Sequence, residues 1–158
     1  MKHTIRSIGA AALFLGGLAA TLRGQGFPVI SARQFTAGTA KLIVTGSFSI
    51  NADVPINAQA SFGDGEATWL QFGASGSDQP NVLITYGDTK EIGITVGRGK
   101  LIATGGIMPG ETSQCSGKAE VTAKLITGRY TCRGVSSFDP ATKKMGKVDI
   151  EITFTAKS

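Results

Sequence analysis

Residues 146–157, with the sequence GKVDIEITFTAK, alternate apolar and polar side chains along their length. Strict alternation is typical of a β-strand with one buried face, because successive side chains of a strand point to opposite sides. The apolar positions are Val148, Ile150, Ile152, Phe154 and Ala156. A shift of one residue in the pairing would expose all of them to water, so the pattern predicts the register as well as the strand. Such a strand needs neighbouring strands and a second apolar layer to be stable.

The remainder of the chain is predicted to supply those neighbours. Short alternating segments recur over residues 41–50, 56–62, 66–72, 82–104 and 116–135, with a turn expected at residues 51–55. The chain has 22 glycines, and no segment has the periodicity of a long helix. Short connections favour antiparallel pairing. We therefore predict an all-β fold, an antiparallel two-sheet β-sandwich of about eight or nine strands, with a small closed β-barrel as the alternative.

The N-terminus has the features of a secretory signal peptide. Lys2 and Arg6 give it positive charge, and residues 8–20 form an apolar stretch that is short for a membrane span. We predict that residues 1–26 are a signal peptide, with cleavage between residues 20 and 27. No Cys follows the apolar stretch, so the lipid attachment of bacterial lipoproteins is not expected.

Two parts remain in the predicted mature chain. Residues 27–40 contain Pro28 and show little periodicity, so they are expected to form a leader segment. Residues 41–158 are expected to form a single β-sandwich domain, because a length of 158 residues and a hydrophobic content of 41% are typical of one globular domain. We predict an exported protein, periplasmic or extracellular, with no membrane span in its mature chain.

The charged residues and the single histidine limit the possible functions. Without residues 1–26 the chain keeps 13 basic and 11 acidic side chains, scattered along the predicted strands. This balance gives no reason to expect a nucleic-acid partner. His3 would be removed with the signal peptide, which excludes Ser-His-Asp and Cys-His catalysis and His-ligated zinc in the mature chain. We expect a non-enzymatic protein without a catalytic residue, cofactor or metal.

Cys115 and Cys132 form an even pair in a chain predicted to be exported. Disulfides form and persist in oxidising compartments, so a disulfide is favoured over a reactive thiol or a metal site. The sequence therefore predicts that these two cysteines are bridged.

Two hairpin registers compete for the segment between the cysteines. A turn at Thr127–Gly128 would separate them by about 26 Å along the strand, far beyond the reach of a disulfide. A turn at Ala123–Lys124 places them opposite each other and Gly117 opposite Tyr130. We prefer the second register, although Ala-Lys is poor turn chemistry.

Residues 128–135, GRYTCRGV, are followed by a loop with Asp139-Pro140 and by VDIEIT at residues 148–153. This stretch resembles the C-terminal end of the mycobacterial lipoprotein antigens of the LpqH type. The resemblance implies an exported β-sandwich presented at the cell envelope, with roles in surface display and host recognition rather than catalysis. The chain lacks that family's lipid-attachment cysteine, and its two cysteines do not match the family's positions, so no functional residue is carried over.

Trp69, Phe72 and Tyr86 are candidates for lining a ligand pocket or a sugar-stacking platform, because aromatic rings offer large amphipathic surfaces. Packing in the core is the competing interpretation of all three residues, and it is the one that we prefer.

Three further patterns have ordinary structural explanations. Asp149 and Glu151 could act as the carboxylate pair of a glycosidase, but charged outer-face residues fit the flanking lysines better. Asp64 and Glu66, with Asp53, could bind Ca²⁺, although Asp in a Gly-rich turn is common. Residues 97–100, GRGK, could hold phosphate, but no helix start follows and a hairpin turn is favoured.

The predicted function is that of an exported non-enzymatic β-sandwich protein, which acts at the cell envelope or outside the cell by binding or surface display. Its partner is an unidentified protein or small apolar ligand. One alternative is a carrier of a small apolar ligand or lipid in a pocket between the sheets. A carboxylate-based hydrolase is the least favoured alternative, because the acidic residues lie in turns or on polar faces.

Overall fold

The computed structural model describes residues 32–64, 66–87, 91–108 and 113–158. The predicted signal peptide and the first part of the predicted leader lie outside the described residues. Strands account for nearly all regular structure in the described part; a three-residue 3-10 helix spans Ala58–Ala60. The strands are β1 Arg33–Gln34, β2 Ala37–Gly46, β3 Ile50–Pro55, β4 Phe62–Gly63, β5 Thr68–Phe72, β6 Pro80–Tyr86, β7 Ile92–Arg98, β8 Leu101–Ile107, β9 Cys115–Val121, β10 Leu125–Asp139 and β11 Lys144–Lys157.

These eleven strands form one hydrogen-bonded sheet, with the order β1-β4-β5-β6-β7-β8-β10-β11-β2-β3 and with β9 paired to β10. All of the pairings are antiparallel. The predicted all-β antiparallel class is therefore confirmed. The strand count exceeds the predicted eight or nine, partly because it includes β1 and β4, which are strands of only two residues each.

The C-terminal strand β11 lies between β10 and β2 and pairs with both along most of its length. Its predicted inward positions are at most 2% exposed; they are Val148, Ile150, Ile152, Phe154 and Ala156. The alternation of residues 146–157 therefore predicted both the strand and its buried face correctly.

The sheet curls into a half-barrel around a core of packed side chains. At one end Ile56 forms an antiparallel bridge with Phe72, which brings the β3 edge back to β5. Across the interior, the ring centroids of Phe72 and Phe154 are 5.9 Å apart and those of Tyr86 and Tyr130 are 6.5 Å apart. Strands β5 and β6 thus pack against β10 and β11.

Residues 33–40, which the sequence pattern places in the leader, contribute to this sheet. Strand β1 pairs with β4, and β2 begins at Ala37 rather than at Lys41. Phe35 is fully buried in the core. The Arg33 guanidinium lies over the Phe35 ring, 4.9 Å from its centroid, and donates to the carbonyl oxygen of Thr122 at 3.1 Å.

The segment after β2 differs from the prediction. Residues 51–55 belong to β3 instead of a turn, and the turn lies at residues 47–49. The strand predicted over residues 56–62 is not formed as a whole: Ile56 makes one bridge and Phe62 begins β4. Between them, Asn57 accepts a hydrogen bond from the Gln59 amide at 3.2 Å and starts the 3-10 helix. A local side-chain acceptor has replaced the ladder that the alternation indicated.

The predicted disulfide between Cys115 and Cys132 is present. Both the cysteine pair and the predicted Gly117–Tyr130 pair lie opposite each other in the β9–β10 hairpin, which confirms the turn at Ala123–Lys124.

Hydrogen bonds made by two side chains, those of Thr122 and Arg33, offset the poor turn chemistry of Ala123–Lys124. The Thr122 hydroxyl oxygen accepts from the Leu125 amide at 3.1 Å, and Arg33 binds two carbonyl oxygens of the same turn. The turn is therefore stabilised by one side chain within it, Thr122, and by one that is distant in sequence, Arg33.

Candidate functional site

Leu70 and Ile84 are buried on the inner face of the sheet. On the outer face, a row of directly paired residues runs across neighbouring strands. The pairings connect β4 to β8 in order, and the row consists of Phe62, Trp69, Thr85, Gly93 and Gly106. Large aromatic side chains stand at one end of this row and glycines at the other. The row therefore forms a step on the sheet surface, which descends from the aromatic side chains past Thr85 to the two glycines.

The step is part of a groove of about 520 Å³, which we call the Trp69 groove. Its lining residues come from β5 to β8 and the adjoining turns; they are Ala67, Trp69, Thr85, Tyr86, Gly87, Glu91, Ile92, Gly93, Thr104, Gly105, Gly106 and Met108. A volume of this size is in the range of sites for small molecules.

Two glycines make the floor of the groove. A Cβ atom at Gly93 would lie 2.5 Å from the Thr85 Oγ1, and one at Gly106 would lie 2.6 Å from the Ile92 carbonyl oxygen. A side chain at Gly106 would therefore collide with backbone. Glycine inside a strand often marks a bulge, a bend, or a place where a ligand or another backbone segment approaches closely.

The aromatic wall is held in place by stacking. The Phe62 and Trp69 rings lie 4.9 Å apart with an interplanar angle of 29°. Phe62 is 45% exposed, and Met108 at the other side of the groove is also 45% exposed. The groove therefore has apolar walls on both sides, with the exposed Glu91 among its lining residues.

The structure separates the three aromatic candidates. Trp69 and Tyr86 both line the groove. Phe72 is fully buried, packs against Phe154 and belongs to the core. A direct role of Trp69 and Tyr86 in ligand binding stays a prediction.

Tyr86 connects the groove to the core. The residue is 6% exposed, and its ring lies near the buried ring of Tyr130. Burial raises the pKa of Tyr86 well above the usual range, and the neighbouring Tyr130 raises it further. Tyr86 is therefore a neutral phenol at physiological pH and supplies no charge to the groove.

The carboxylates of Asp149 and Glu151 bind one exposed cation. Arg133 donates to Asp149 Oδ2 at 3.2 Å and to Glu151 Oε1 at 2.9 Å. The pKa of Asp149 is lowered, first by the hydrogen bond from the Gly134 amide at 2.8 Å and then by Arg133. A glycosidase proton donor needs a raised pKa. The pair therefore has the character of a surface ion-pair cluster on β10 and β11.

The other two candidate sites are turns. The Asp64 carboxylate accepts from the amides of Glu66 at 2.9 Å and Ala67 at 2.8 Å, and these bonds lower its pKa. Residues 97–100 form the end of β7 and its turn to β8. Within the described residues, no group of three or more His, Cys, Asp or Glu side chains could hold a metal ion.

The sequence pattern alone does not identify the glycines and the methionine that distinguish the groove. Gly93, Gly106 and Met108 are separated along the chain, and only the pairing of β7 with β8 brings them together. Isolated glycines within strand-like segments are the one sequence feature that indicates a close approach to the backbone at these positions.

In the described part of the chain, no helix is long and apolar enough to cross a membrane. Comparisons with protein-family models, curated proteins and solved structures gave no significant match.

Proposed function

We propose that this chain is an exported, non-enzymatic binding protein of a bacterial cell envelope, and that it binds its ligand in the Trp69 groove. The observation that carries the proposal is the Trp69 ring, stacked on Phe62, beside a groove whose lining includes Gly93 and Gly106. This combination gives a flat ring a surface to stack on and lets it approach the sheet closely.

The ligand class that fits these features best is a carbohydrate chain. A sugar ring has an apolar face that can stack on the Trp69 indole, and hydroxyl groups around its edge that need hydrogen-bond partners. Glu91, Thr85 and Thr104 supply oxygen atoms around the groove. A purely apolar ligand would cover these groups and the exposed backbone without satisfying them, which costs free energy.

The scaffold of this function is, in our proposal, a two-layer sandwich in which β5 and β6 face β10 and β11. The contact between Phe72 and Phe154 supports facing layers. It also argues against the alternative of an apolar carrier, because Phe72, Tyr130 and Phe154 occupy the space between the layers.

Export and presentation at the envelope are supported by independent features. The Cys115–Cys132 disulfide is typical of oxidising compartments, and residues 1–26 have signal-peptide composition. The resemblance of residues 128–153 to the LpqH-type antigens favours display at the cell surface.

Trp69 is the single tryptophan of the chain, so its fluorescence reports on the groove alone. We expect soluble oligosaccharides of glucose, mannose or N-acetylglucosamine to change this fluorescence in a saturable manner. By calorimetry, Trp69→Ala is expected to weaken binding by about tenfold, as stacking is worth about 0.5–1.5 kcal/mol beyond area burial.

Phe138→Ala is the matched control, because Phe138 is a similarly exposed aromatic residue on β10. It should leave saccharide binding unchanged. A saccharide affinity that Trp69→Ala leaves unchanged would contradict the groove as the site, and the absence of binding to all three saccharides would contradict the ligand class.

A further inference from the structure

Three large apolar side chains lie side by side on the solvent-facing surface at the other end of β8. Phe138 on β10 pairs directly with Ile102 on β8 and with Met145 on β11. The exposed fractions are 49% for Ile102, 43% for Phe138 and 68% for Met145. Directly opposed side chains in an antiparallel sheet have Cβ atoms about 4.5–5.5 Å apart, so the three form one continuous row. We call this row the tip patch.

The tip patch differs from the single exposed apolar residues that are common on protein surfaces. The inward positions of the same strands already carry buried residues, including Ala103 and Val148, so the core does not require the patch. Among the described residues, no element covers these three adjacent large apolar side chains, which face water.

Basic residues outnumber acidic ones in the turns and strand ends next to the tip patch. The adjacent β7–β8 and β10–β11 turns and the start of β11 carry five exposed basic residues, which are Arg98, Lys100, Lys143, Lys144 and Lys147. Asp78 and Asp139 lie near these turns. Asp139 is engaged within its own turn, where it accepts from Thr142 at 2.7 Å and from the Ala141 amide at 2.9 Å.

An apolar cluster with a cationic rim complements the surface of an anionic lipid bilayer. Apolar side chains enter the boundary between headgroups and acyl chains, while lysines and arginines attract anionic headgroups. A second copy of this chain fits less well, because two tip patches would bring two cationic rims together. We propose that the tip patch docks this protein reversibly on anionic membrane surfaces.

The tip patch and the Trp69 groove use opposite ends of β8, with Ile102 near its start and Gly106 near its end. The two surfaces share no residue, so a substitution in one leaves the side chains of the other in place. Membrane docking and ligand binding can be tested separately for this reason.

The test is co-sedimentation of the exported, purified protein with vesicles. Vesicles of phosphatidylcholine mixed with phosphatidylglycerol are compared with pure phosphatidylcholine at low and high salt. We expect binding to the anionic vesicles only, with a decrease at high salt. Phe138→Ser with Met145→Ser, and separately Lys143→Glu with Lys147→Glu, should each reduce partitioning by about tenfold or more.

Phe62→Ser is the matched control, because Phe62 is a similarly exposed aromatic residue in the row of the Trp69 groove, and it should leave vesicle binding unchanged. Circular dichroism melts of every variant check that the fold is retained. Binding that is equal for wild type and both double variants would overturn the proposal, as would failure of the wild type to bind anionic vesicles at low salt. A concentration-dependent dimer that Phe138→Ser abolishes, without vesicle binding, would assign the patch to a second copy and overturn lipid docking.

Discussion

Gly117 on β9 lies directly opposite Tyr130 on β10, and a Cβ atom at Gly117 would lie 2.5 Å from Cδ1 of the tyrosine ring. The backbone of Gly117 also has a φ of 152°, a conformation that L side chains rarely adopt. Tyr130 is fully buried and contacts the rings of Tyr86 and Phe154. The glycine therefore lets β9 cover a central aromatic residue of the core.

Gly117→Ala is expected to lower the free energy of unfolding by about 1–3 kcal/mol, because the variant must strain its backbone or shift the Tyr130 ring. Urea unfolding measures the change. Ser116→Ala, at the neighbouring exposed position, should be nearly neutral. Equal stability of Gly117→Ala and wild type would mean that β9 does not pack on Tyr130 in this register.

Phe35 provides a test of the N-terminal boundary of the domain. It is fully buried, its amide donates to Ser61 at 2.9 Å, and Arg33 covers its ring. Phe35→Ala should destabilise the protein by about 3–5 kcal/mol, since it leaves a cavity in the core. The adjacent exposed variant Thr36→Ala should change the melting temperature little. A neutral Phe35→Ala would show that residues before β2 contribute nothing to the core.

The sequence predicts an element correctly where a local residue pattern or a geometric constraint determines it. Residues 146–157 alternate strictly, and a disulfide between Cys115 and Cys132 admits only one of two registers. Residues 56–62 also alternate, but there the local bond from the Gln59 amide to Asn57 prevails. Ser61 in that segment is held by Gln71, ten residues away, at 3.0 and 2.9 Å, and no local pattern reports such a contact.

The candidate sites are harder to predict because they depend on the order of strands. The Trp69 groove requires Gly93 and Gly106 to lie in register with Trp69 across four strands. The tip patch requires β8 to pair with β10 although β9 lies between them in sequence. The sequence identifies Trp69 as a candidate, but it does not indicate which residues surround it.

The pH dependence of stability should report on Asp149. Its pKa in the folded state is lowered by the Gly134 amide and by Arg133. A group with a lowered folded-state pKa stabilises the fold above its unfolded pKa, about 3.9 for Asp, and loses that contribution as the pH falls through the folded-state value. Asp149→Asn should therefore melt below wild type near neutral pH, and the difference should vanish in acid.

Thermal melts of wild type and Asp149→Asn over a series of pH values measure this difference. Asp53→Asn is a suitable control, because Asp53 lies on the exposed side of β3. A constant difference between Asp149→Asn and wild type at all pH values would indicate lost packing rather than a lost ionic interaction.

The two faces of β11 can be distinguished by a pair of substitutions at adjacent positions. Ile152 is 1% exposed and points into the core, whereas the side chain of Glu151 is 41% exposed and pairs with Arg133. Ile152→Asp would bury a carboxylate without a partner and should destabilise the protein by about 3–5 kcal/mol, a large part of a typical total of about 5–15 kcal/mol.

Glu151→Ile should cost little stability, because exposed ion pairs contribute little. It should reduce solubility, since it places a large apolar residue on the outer surface. Thermal melts of both variants measure the loss of stability, and solubility measurements test the effect of the exposed isoleucine. Comparable losses of stability from Ile152→Asp and Glu151→Ile would mean that β11 is covered on both faces, which would require a partner chain or a further layer over its outer side.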